Sequence, residues 1–441
     1  MPMKSVPQLL AILLALCFAL ARTAGAQGLE IEITDGQAAA TPIVVVPFEY
    51  VGTSAAPDTD IAAVIRANLN RSGQFRTLAE NDIVERPQRG PEINFATWRL
   101  LGQEYITVGR IVDNPDGGYR VEFEVFDVSR QERLVGLALA GRPQAMRDVA
   151  HQISDHIYEA VTGVRGAFWT RIAYVTATGT GDGIRYALMV ADADGHNPQP
   201  VVRSSQPLLS PAWSPDGRRL AYVSFERGNS SIYVHEIATG AREAVAAFRG
   251  INGAPAWSPD GSRLAMTLSR TGSPQIHIMD LASRELTQVT NHWAIDTEAA
   301  WSADGQHLYF TSDRGGKPQI YRVAATGGEV SRVTFQGEYN ARASVSFDGN
   351  KIAVAQGAGN VYRIAVMDRS LGGSGRWQTL SPGNLDESPS FAPNASMIIY
   401  ATREAGRGVL YAVSADGRVR QRLVLADGDV REPAWSPYRQ R

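Results

Sequence analysis

A short phrase that recurs every 44 residues constrains the fold of this chain more than any other feature. The phrase reads Pro-Ala-Trp-Ser-Pro-Asp-Gly at residues 211–217 and again at 255–261, and variants of it follow. Its third position forms a column separated by steps of 44, 44, 44, 46 and 44 residues, namely Trp213, Trp257, Trp301, Val345, Phe391 and Trp435. A regular period of about 20–50 residues is typical of repeat architectures, which include propellers.

Each repeat contains four short runs that predict β-strands. After Trp257, for example, apolar runs follow at residues 263–268 and 275–279, and a more polar run follows at 285–290. The earlier runs are apolar on both faces, as strands between neighbouring blades must be. The last run is amphipathic, which is expected of an outer edge strand. Four strands per repeat predict a propeller blade, with the tryptophan column packed between blades.

The strands on which the repeats begin and end predict how the ring closes. The chain enters the repeats on a second strand at residues 171–176 and ends on a lone first strand at residues 433–437. The last strand should therefore complete the first blade, and six first strands predict six blades. The Asp-Gly pair that ends four of the phrases predicts a tight turn in which Gly adopts a positive φ. We interpret these acids, and Asp192-Ala-Asp-Gly195, as turn residues rather than metal ligands.

Residues 27–165 follow a different pattern, which predicts a mixed α/β domain. Ile43–Phe48 reads as a buried strand, and Asp58–Arg71 reads as a helix with its apolar side chains on one face. Arg147–Thr162 predicts a second long helix, and the glycine that follows it is a stop signal. The predicted fold is an N-terminal α/β domain followed by an all-β six-bladed β-propeller at residues 166–441, closed by the C-terminal strand.

The first 26 residues predict an export signal. Lys4 precedes an unbroken apolar run at residues 9–20, and Ala24-Gly-Ala26 matches a cleavage site. The run is short for a transmembrane helix, and an uncleaved anchor is the alternative. Cleavage would remove Cys17, the only cysteine, so the mature chain would begin near Gln27 without a disulfide. We therefore expect a periplasmic protein with no transmembrane segment in its mature form.

Charge and motif content argue against several function classes. The chain has 43 basic and 45 acidic residues, for a net charge of -2, which does not favour nucleic-acid binding. The sequence contains neither a Gly-x-Ser-x-Gly elbow, nor a phosphate loop, nor a His-Glu-x-x-His motif. His151 and His156 share a predicted helix but lie on different sides of it, so they cannot hold one ion together. We predict no catalytic residue, no metal site and no cofactor.

Several stretches resemble the TolB family, the periplasmic component of the Tol–Pal envelope system, and the resemblance covers essentially the whole mature chain. They are Thr41-Pro-Ile-Val-Val-Val-Pro-Phe48, Leu69-Asn-Arg-Ser-Gly-Gln-Phe75, Asn114-Pro-Asp-Gly117, Val161-Thr-Gly-Val-Arg-Gly-Ala-Phe168, Thr170-Arg-Ile-Ala-Tyr-Val175 and Pro433-Ala-Trp-Ser-Pro-Tyr438. Propellers of the prolyl-peptidase type share the blade repeat, so the N-terminal stretches, in their order, discriminate between the families.

The resemblance implies a monomeric scaffold rather than an enzyme. Members of the family bind Pal, the peptidoglycan-associated lipoprotein, through the propeller, and TolA through the mature N-terminus. They thereby maintain outer-membrane integrity and support envelope constriction during cell division. The alternatives are an exported propeller-gated hydrolase and a glycan-binding propeller. A serine hydrolase would need a further domain of about 200 residues, whereas only residues 27–165 remain outside the propeller.

The candidate Pal-binding residues lie on loops that lead into the inner strands and converge at one mouth of the channel. They are Ile251, Asn252, Ala254, Trp293, Thr297, Glu298, Asn340, Asp386 and Glu387. Ile251 and Trp293 would serve as apolar anchors, although related sequences carry a polar residue at the position of Ile251. The resemblance points to the loops of Ala254 and Thr297 in particular. The alternative for the Asn and Asp residues is that they only cap turns.

The candidate TolA-binding residues alternate between apolar and acidic side chains. They are Leu29, Glu30, Ile31, Glu32 and Ile33. This alternation is typical of a strand that adds to an exposed sheet edge, and the resemblance names TolA as the partner. An ordinary edge strand of the α/β domain is the alternative.

Overall fold

The computed structural model describes residues 31–32, 40–370, 372, 375–423, 425 and 428–440. The predicted export signal with Cys17 lies outside these residues, as do Leu29, Glu30 and Ile33. No helix within the described ranges is long and apolar enough to cross a membrane.

The N-terminal region consists of one mixed sheet with helices on both faces. Its helices are α1 (Ile61–Arg71), α2 (Phe95–Leu100) and α3 (Met146–Thr162). Its strands are β2 (Thr41–Val45), β3 (Glu49–Tyr50), β4 (Phe75–Thr77), β5 (Tyr105–Asp113), β6 (Tyr119–Asp127) and β7 (Glu132–Gly141). The sheet order is β4-β2-β5-β6-β7, with β3 beside β5.

The helix boundaries agree with the sequence pattern except at one end. The N-cap of α1 is Asp60, whose carboxylate accepts a hydrogen bond from the amide of Ala63 at 2.9 Å, so the helix begins three residues later than predicted at Asp58. The other long helix, α3, ends at Gly163, which adopts a left-handed φ of 75° as a helix stop requires. Helices α1 and α3 bury their apolar faces in a common core with the sheet.

The remaining strands form six blades. The first blade contains β31 (Asp429–Trp435), β8 (Arg171–Thr178), β9 (Arg185–Asp192) and β10 (Gln199–Ser204); the second contains β11 (Leu208–Trp213), β12 (Arg219–Ser224), β13 (Ser231–Glu236) and β14 (Arg242–Ala246). The third contains β15 (Asn252–Trp257), β16 (Arg263–Leu268), β17 (Gln275–Asp280) and β18 (Leu286–Gln288); the fourth contains β19 (Asp296–Trp301), β20 (His307–Ser312), β21 (Gln319–Ala324) and β22 (Ser331–Arg332). The fifth contains β23 (Tyr339–Val345), β24 (Lys351–Ala358), β25 (Val361–Asp368) and β26 (Arg376–Thr379); the sixth contains β27 (Glu387–Phe391), β28 (Met397–Glu404), β29 (Arg407–Ser414) and β30 (Arg420–Leu423).

The predicted closure is confirmed by the pairing of the last strand. Strand β31 runs antiparallel to β8, with Trp435 opposite Ile172. The indole nitrogen of Trp435 donates to the hydroxyl of Thr170 at 2.8 Å, and the amide of Arg171 donates to the hydroxyl of Ser436 at 2.9 Å. One blade therefore joins both ends of the propeller sequence.

The tryptophan column packs between blades. The indole nitrogens of Trp257 and Trp301 each donate to a backbone carbonyl of the preceding blade, at Ala212 and Ala256, over 3.1 and 3.0 Å. Both rings are buried, at 7% relative exposure. The repeated contact explains why tryptophan recurs at this position.

Candidate partner-binding site at one mouth of the propeller channel

Six residues at equivalent positions of the inner strands form a ring around the channel. Each adopts a positive φ between 45° and 56°, and each lies where the inner strand shifts register against the second strand. They are Ser210, Ala254, Glu298, Arg342, Ser388 and Glu432, and we call them the channel ring. Together with their neighbours they line a cavity of about 170 Å³. A β-bulge of this kind re-aims a side chain, here towards the axis.

Arg342 holds the charged part of the channel ring together. Its Nε donates to Glu298 at 2.8 Å, and its Nη2 lies 3.4 Å from a carboxylate oxygen of Glu432. Its Nη1 also donates to the hydroxyl of Ser388. Although burial opposes ionisation, the carboxylates of Glu432 and Glu298 raise the pKa of Arg342. The ring thus carries one cation between two carboxylates.

Exposed apolar side chains stand on several loops of the side where the inner strands begin. We call this side the entry face, and its exposed apolar residues are Ile251, Trp293, Ile295, Phe335 and Leu385, which together form the entry rim. Trp293 is 76% exposed and Phe335 is 70% exposed. They stand on the loops that lead into four successive blades, the third to the sixth. A cluster of exposed apolar side chains with polar neighbours is typical of a protein interaction surface.

The structure places six of the nine predicted Pal-binding residues where a partner can reach them. Ile251, Trp293 and Glu387 are exposed on the entry face. Ala254 and Glu298 belong to the channel ring, and Thr297, beside Glu298, is half-buried. The loops therefore converge as their sequence positions predicted.

The other three predicted contact residues, Asn252, Asn340 and Asp386, are buried and need correction. The amide of Asn252 donates to the carbonyl of Phe248 at 2.7 Å. That of Asn340 donates to the carbonyl of Gln336 at 2.8 Å, and Asp386 accepts a hydrogen bond from Ser381. These side chains form hydrogen bonds within their own loops and hold the loops in place. Their burial favours the capping alternative.

Ile295, Phe335 and Leu385 were missed by sequence reasoning. Each is an apolar residue in a polar loop that ends at an inner strand. Such apolar residues can be found in the sequence once the inner strand of each blade has been located. Phe335 is additionally covered on one side by the guanidinium of Arg332, which lies 5.1 Å from its ring centre.

The predicted TolA-binding segment meets the propeller, not the α/β sheet. Strand β1 (Ile31–Glu32) pairs antiparallel with β30, the outer strand of the sixth blade, with Ile31 opposite Gln421 and Glu32 opposite Arg420. The alternative of an edge strand of the α/β domain is therefore wrong for these two residues.

Comparison with known proteins assigns the chain to a family. A model described as the TolB beta propeller domain matches residues 158–439, and one described as the TolB amino-terminal domain matches residues 29–134. The chain belongs to the TolB family. The Tol-Pal system protein TolB of Xanthomonas campestris pv. campestris (strain B100) is 69% identical over 437 residues, which are 99% of each chain. That of Xanthomonas oryzae pv. oryzae (strain PXO99A) is 68% identical over the same length.

A solved TolB structure shares the fold. The crystal structure of TolB from Acinetobacter baumannii has a TM-score of 0.84 and 41% sequence identity, and the match covers 93% of this chain and 99% of that one. The predicted fold, an α/β region followed by a six-bladed propeller, is thus confirmed, and membership of the TolB family makes the chain a Tol-Pal system protein.

Proposed function

We propose that this protein is a non-enzymatic periplasmic scaffold of the Tol–Pal system that binds Pal at the entry face and TolA through the segment at residues 29–33. By holding both partners it would maintain outer-membrane integrity and support constriction of the envelope at cell division. We further propose cleavage after residue 26 and a domain boundary at 165/166. The predicted cleavage site and the helix stop at Gly163 support these two boundaries.

The entry rim is the observation that supports the Pal proposal most strongly. Apolar side chains that are about half to three-quarters exposed cost free energy in water, and covering such a side chain with a partner typically stabilises a complex by about 1.5–3 kcal/mol. The rim lies on loops that lead into the strands of the channel ring, whose charged groups would supply polar contacts. Aromatic anchors such as Trp293 are the side chains that most often dominate binding energy.

Calorimetric titration of Pal into Trp293→Ala tests this proposal. We expect the dissociation constant to rise about 30-fold or more, which corresponds to a loss of about 2 kcal/mol. Trp293 is largely exposed, so the melting temperature should stay within about 2 °C of the parent. Unchanged affinity would contradict binding at the entry face.

The TolA proposal is supported by the position of β1. A short strand on the outer edge of a blade can leave without opening the ring, and an alternating strand can pair with the edge of another sheet. Removing residues 27–35 should abolish TolA binding and leave Pal binding and the melting temperature unchanged. Loss of both interactions together would instead indicate that the segment is needed for the fold.

A further inference from the structure

A cluster of charged and imidazole side chains joins the N-terminal region to the first blade. His151 lies on α3, whereas Asp192 and Asp194 lie at the hairpin between β9 and β10. One ligand atom from each of the three lies within 4.8 Å of the others. Because α3 and the hairpin belong to different parts of the fold, the cluster forms only when these parts are packed together.

His151 presents a free ring nitrogen to this cluster. The residue is buried, at 1% exposure, and its Nδ1 is hydrogen-bonded to the amide nitrogen of Asn68 at 2.9 Å. Its Nε2 has no hydrogen-bond partner among the described residues and lies 3.7 Å from a carboxylate oxygen of Asp194. That separation is too long for a hydrogen bond. It is close to the distance of about 3.4 Å between two ligands that each lie about 2.0–2.1 Å from one tetrahedral zinc ion.

Asp192 is a carboxylate of the cluster without a direct partner. Within the described part of the chain its side chain accepts no hydrogen bond and forms no ion pair, whereas Asp194 pairs with Arg147. Its carboxylate lies within 4.8 Å of a ligand atom of Asp194. A carboxylate so placed would be stabilised by a further positive charge.

We propose that His151, Asp192 and Asp194 bind a divalent transition-metal ion, with Zn²⁺ the best match, which links the N-terminal region to the propeller. One imidazole and two carboxylates suit Zn²⁺, whereas Mg²⁺ and Ca²⁺ prefer oxygen ligands alone. A water molecule would supply a fourth ligand. The ion would hold α3 against the first blade.

The orientation of His151 and an open path to the site favour this ion, whereas the buried guanidinium of Arg71 close to Asp194 opposes it. When Nε2 binds the ion, Nδ1 carries the proton, and Asn68 turns its amide to accept it through Oδ1. The amide of Asn68 now donates to the hydroxyl of Ser154 at 2.8 Å, so this hydroxyl would turn to donate to the same Oδ1. Asp192 and Arg147 also line an open cleft of about 1260 Å³ between the two parts of the molecule, which provides an entry path.

Arg147 is the competitor that the ion must displace. Its guanidinium pairs with the same oxygen of Asp194 that faces His151. The side chain is 29% exposed at the edge of the cleft, so it can turn towards solvent. The competition predicts that Arg147→Gln binds the ion more tightly than the parent, which a purely structural role of the cluster would not produce.

Calorimetric titration of ZnCl₂ into untagged, chelator-stripped mature protein at pH 7.5 is the test. We expect one ion per chain, weaker binding by at least tenfold in His151→Ala and Asp192→Asn, and tighter binding in Arg147→Gln. His307→Ala, on the fourth blade, is the control and should bind as the parent does. Zn²⁺ should also raise the melting temperature of the parent but not that of Asp192→Asn.

Three results would overturn the proposal. The first is no stoichiometric binding by the parent and Arg147→Gln. The second is equal binding by the parent, His151→Ala and Asp192→Asn. The third is binding of Zn²⁺ by Arg147→Gln but not by the parent. In that case the guanidinium of Arg147 would occupy the site in the natural chain, and no ion would bind there. Circular dichroism of each variant shows whether a lost signal reflects lost folding.

Discussion

The two faces of the propeller are built from the same repeat but differ in how they satisfy their polar and apolar groups. On the entry face, long loops leave the five entry-rim side chains exposed. On the opposite face, which we call the turn face, the phrase Ser-x-Asp-Gly follows the inner strand in four of the six blades and closes the turn on itself. Ser258 donates to Asp260, for example, and Asp260 also accepts the amide of Ser262 at 3.1 Å.

This difference shows where repeated sequence serves the fold and where varied sequence is available for function. The turn acids have protein partners within their own turns, so their recurrence follows from the turn geometry. The entry loops differ from blade to blade in length and composition, and their buried Asn252 and Asn340 support the exposed residues around them. The account therefore assigns partner binding to the entry face and stability to the turn face.

Both faces depend on ring closure, so the largest expected effect is that of removing Glu432–Arg441. The deletion removes most of β31 with Trp435, and loss of a buried tryptophan side chain alone typically costs about 3–5 kcal/mol. We expect the melting temperature of the whole propeller to fall by more than about 10 °C. Removing only residues 440–441 is the matched control. A ten-residue deletion that melts like the parent would mean that the ring closes in another way.

The second-largest expected effect is a loss of Pal affinity caused by a substitution in the channel ring, at the centre of the entry face. Ala254→Trp should raise the dissociation constant for Pal about 30-fold or more by steric clash. The fold should persist, because Glu298 and Arg342 hold long side chains at the same positive φ. Ala254→Ser, which matches Ser210 in the ring, should bind almost as the parent does. Unfolding of Ala254→Trp, seen in its melting curve, would show that the position is structural.

The smallest effect concerns the turn face. Hydrogen bonds from Ser258 and from the amide of Ser262 lower the pKa of Asp260 to about 2. The folded pKa is below the unfolded value of about 3.9, so the carboxylate stabilises the fold above about pH 4, and this contribution disappears as the pH falls towards 2. Asp260→Asn should lower the melting temperature at pH 7 by about 2 °C, and the difference should narrow in acid.

The affinity of Asp260→Asn for Pal tests whether the turn face takes part in partner binding. It should match the parent once both proteins are folded at the temperature of the titration. A loss of affinity there would remove the distinction between the two faces.

The repeat made most of the fold predictable. A step of 44 residues that changes only once, to 46, together with a four-strand pattern and a lone strand at the end, specifies a closed ring without any knowledge of its contacts. The register of each inner strand was not predictable in the same way, because the bulge at the channel ring depends on pairing with the second strand. The side chains at these bulges range from Ala254 to Arg342, so no residue type marks the positive φ.

The site was predictable only in part. The phase of the repeat placed Trp293 and Ile251 at the mouth, but it could not separate exposed polar residues from loop-supporting ones such as Asn340. That distinction depends on the hydrogen bonds of the folded loops. The contact between His151 and the hairpin of Asp194 had no signal in the sequence, because it depends on how two parts of the fold pack together.

A matched pair of phenylalanines tests the central claim most directly. Phe335 stands on the entry face at 70% exposure, and Phe347 stands in a turn on the opposite face at 52% exposure. Pal should be titrated calorimetrically into Phe335→Ser and Phe347→Ser, each checked for an unchanged melting temperature. The account predicts that Phe335→Ser weakens binding about tenfold, a change of about 1.4 kcal/mol, while Phe347→Ser binds as the parent does. Weakened binding in Phe347→Ser with unchanged binding in Phe335→Ser would contradict it.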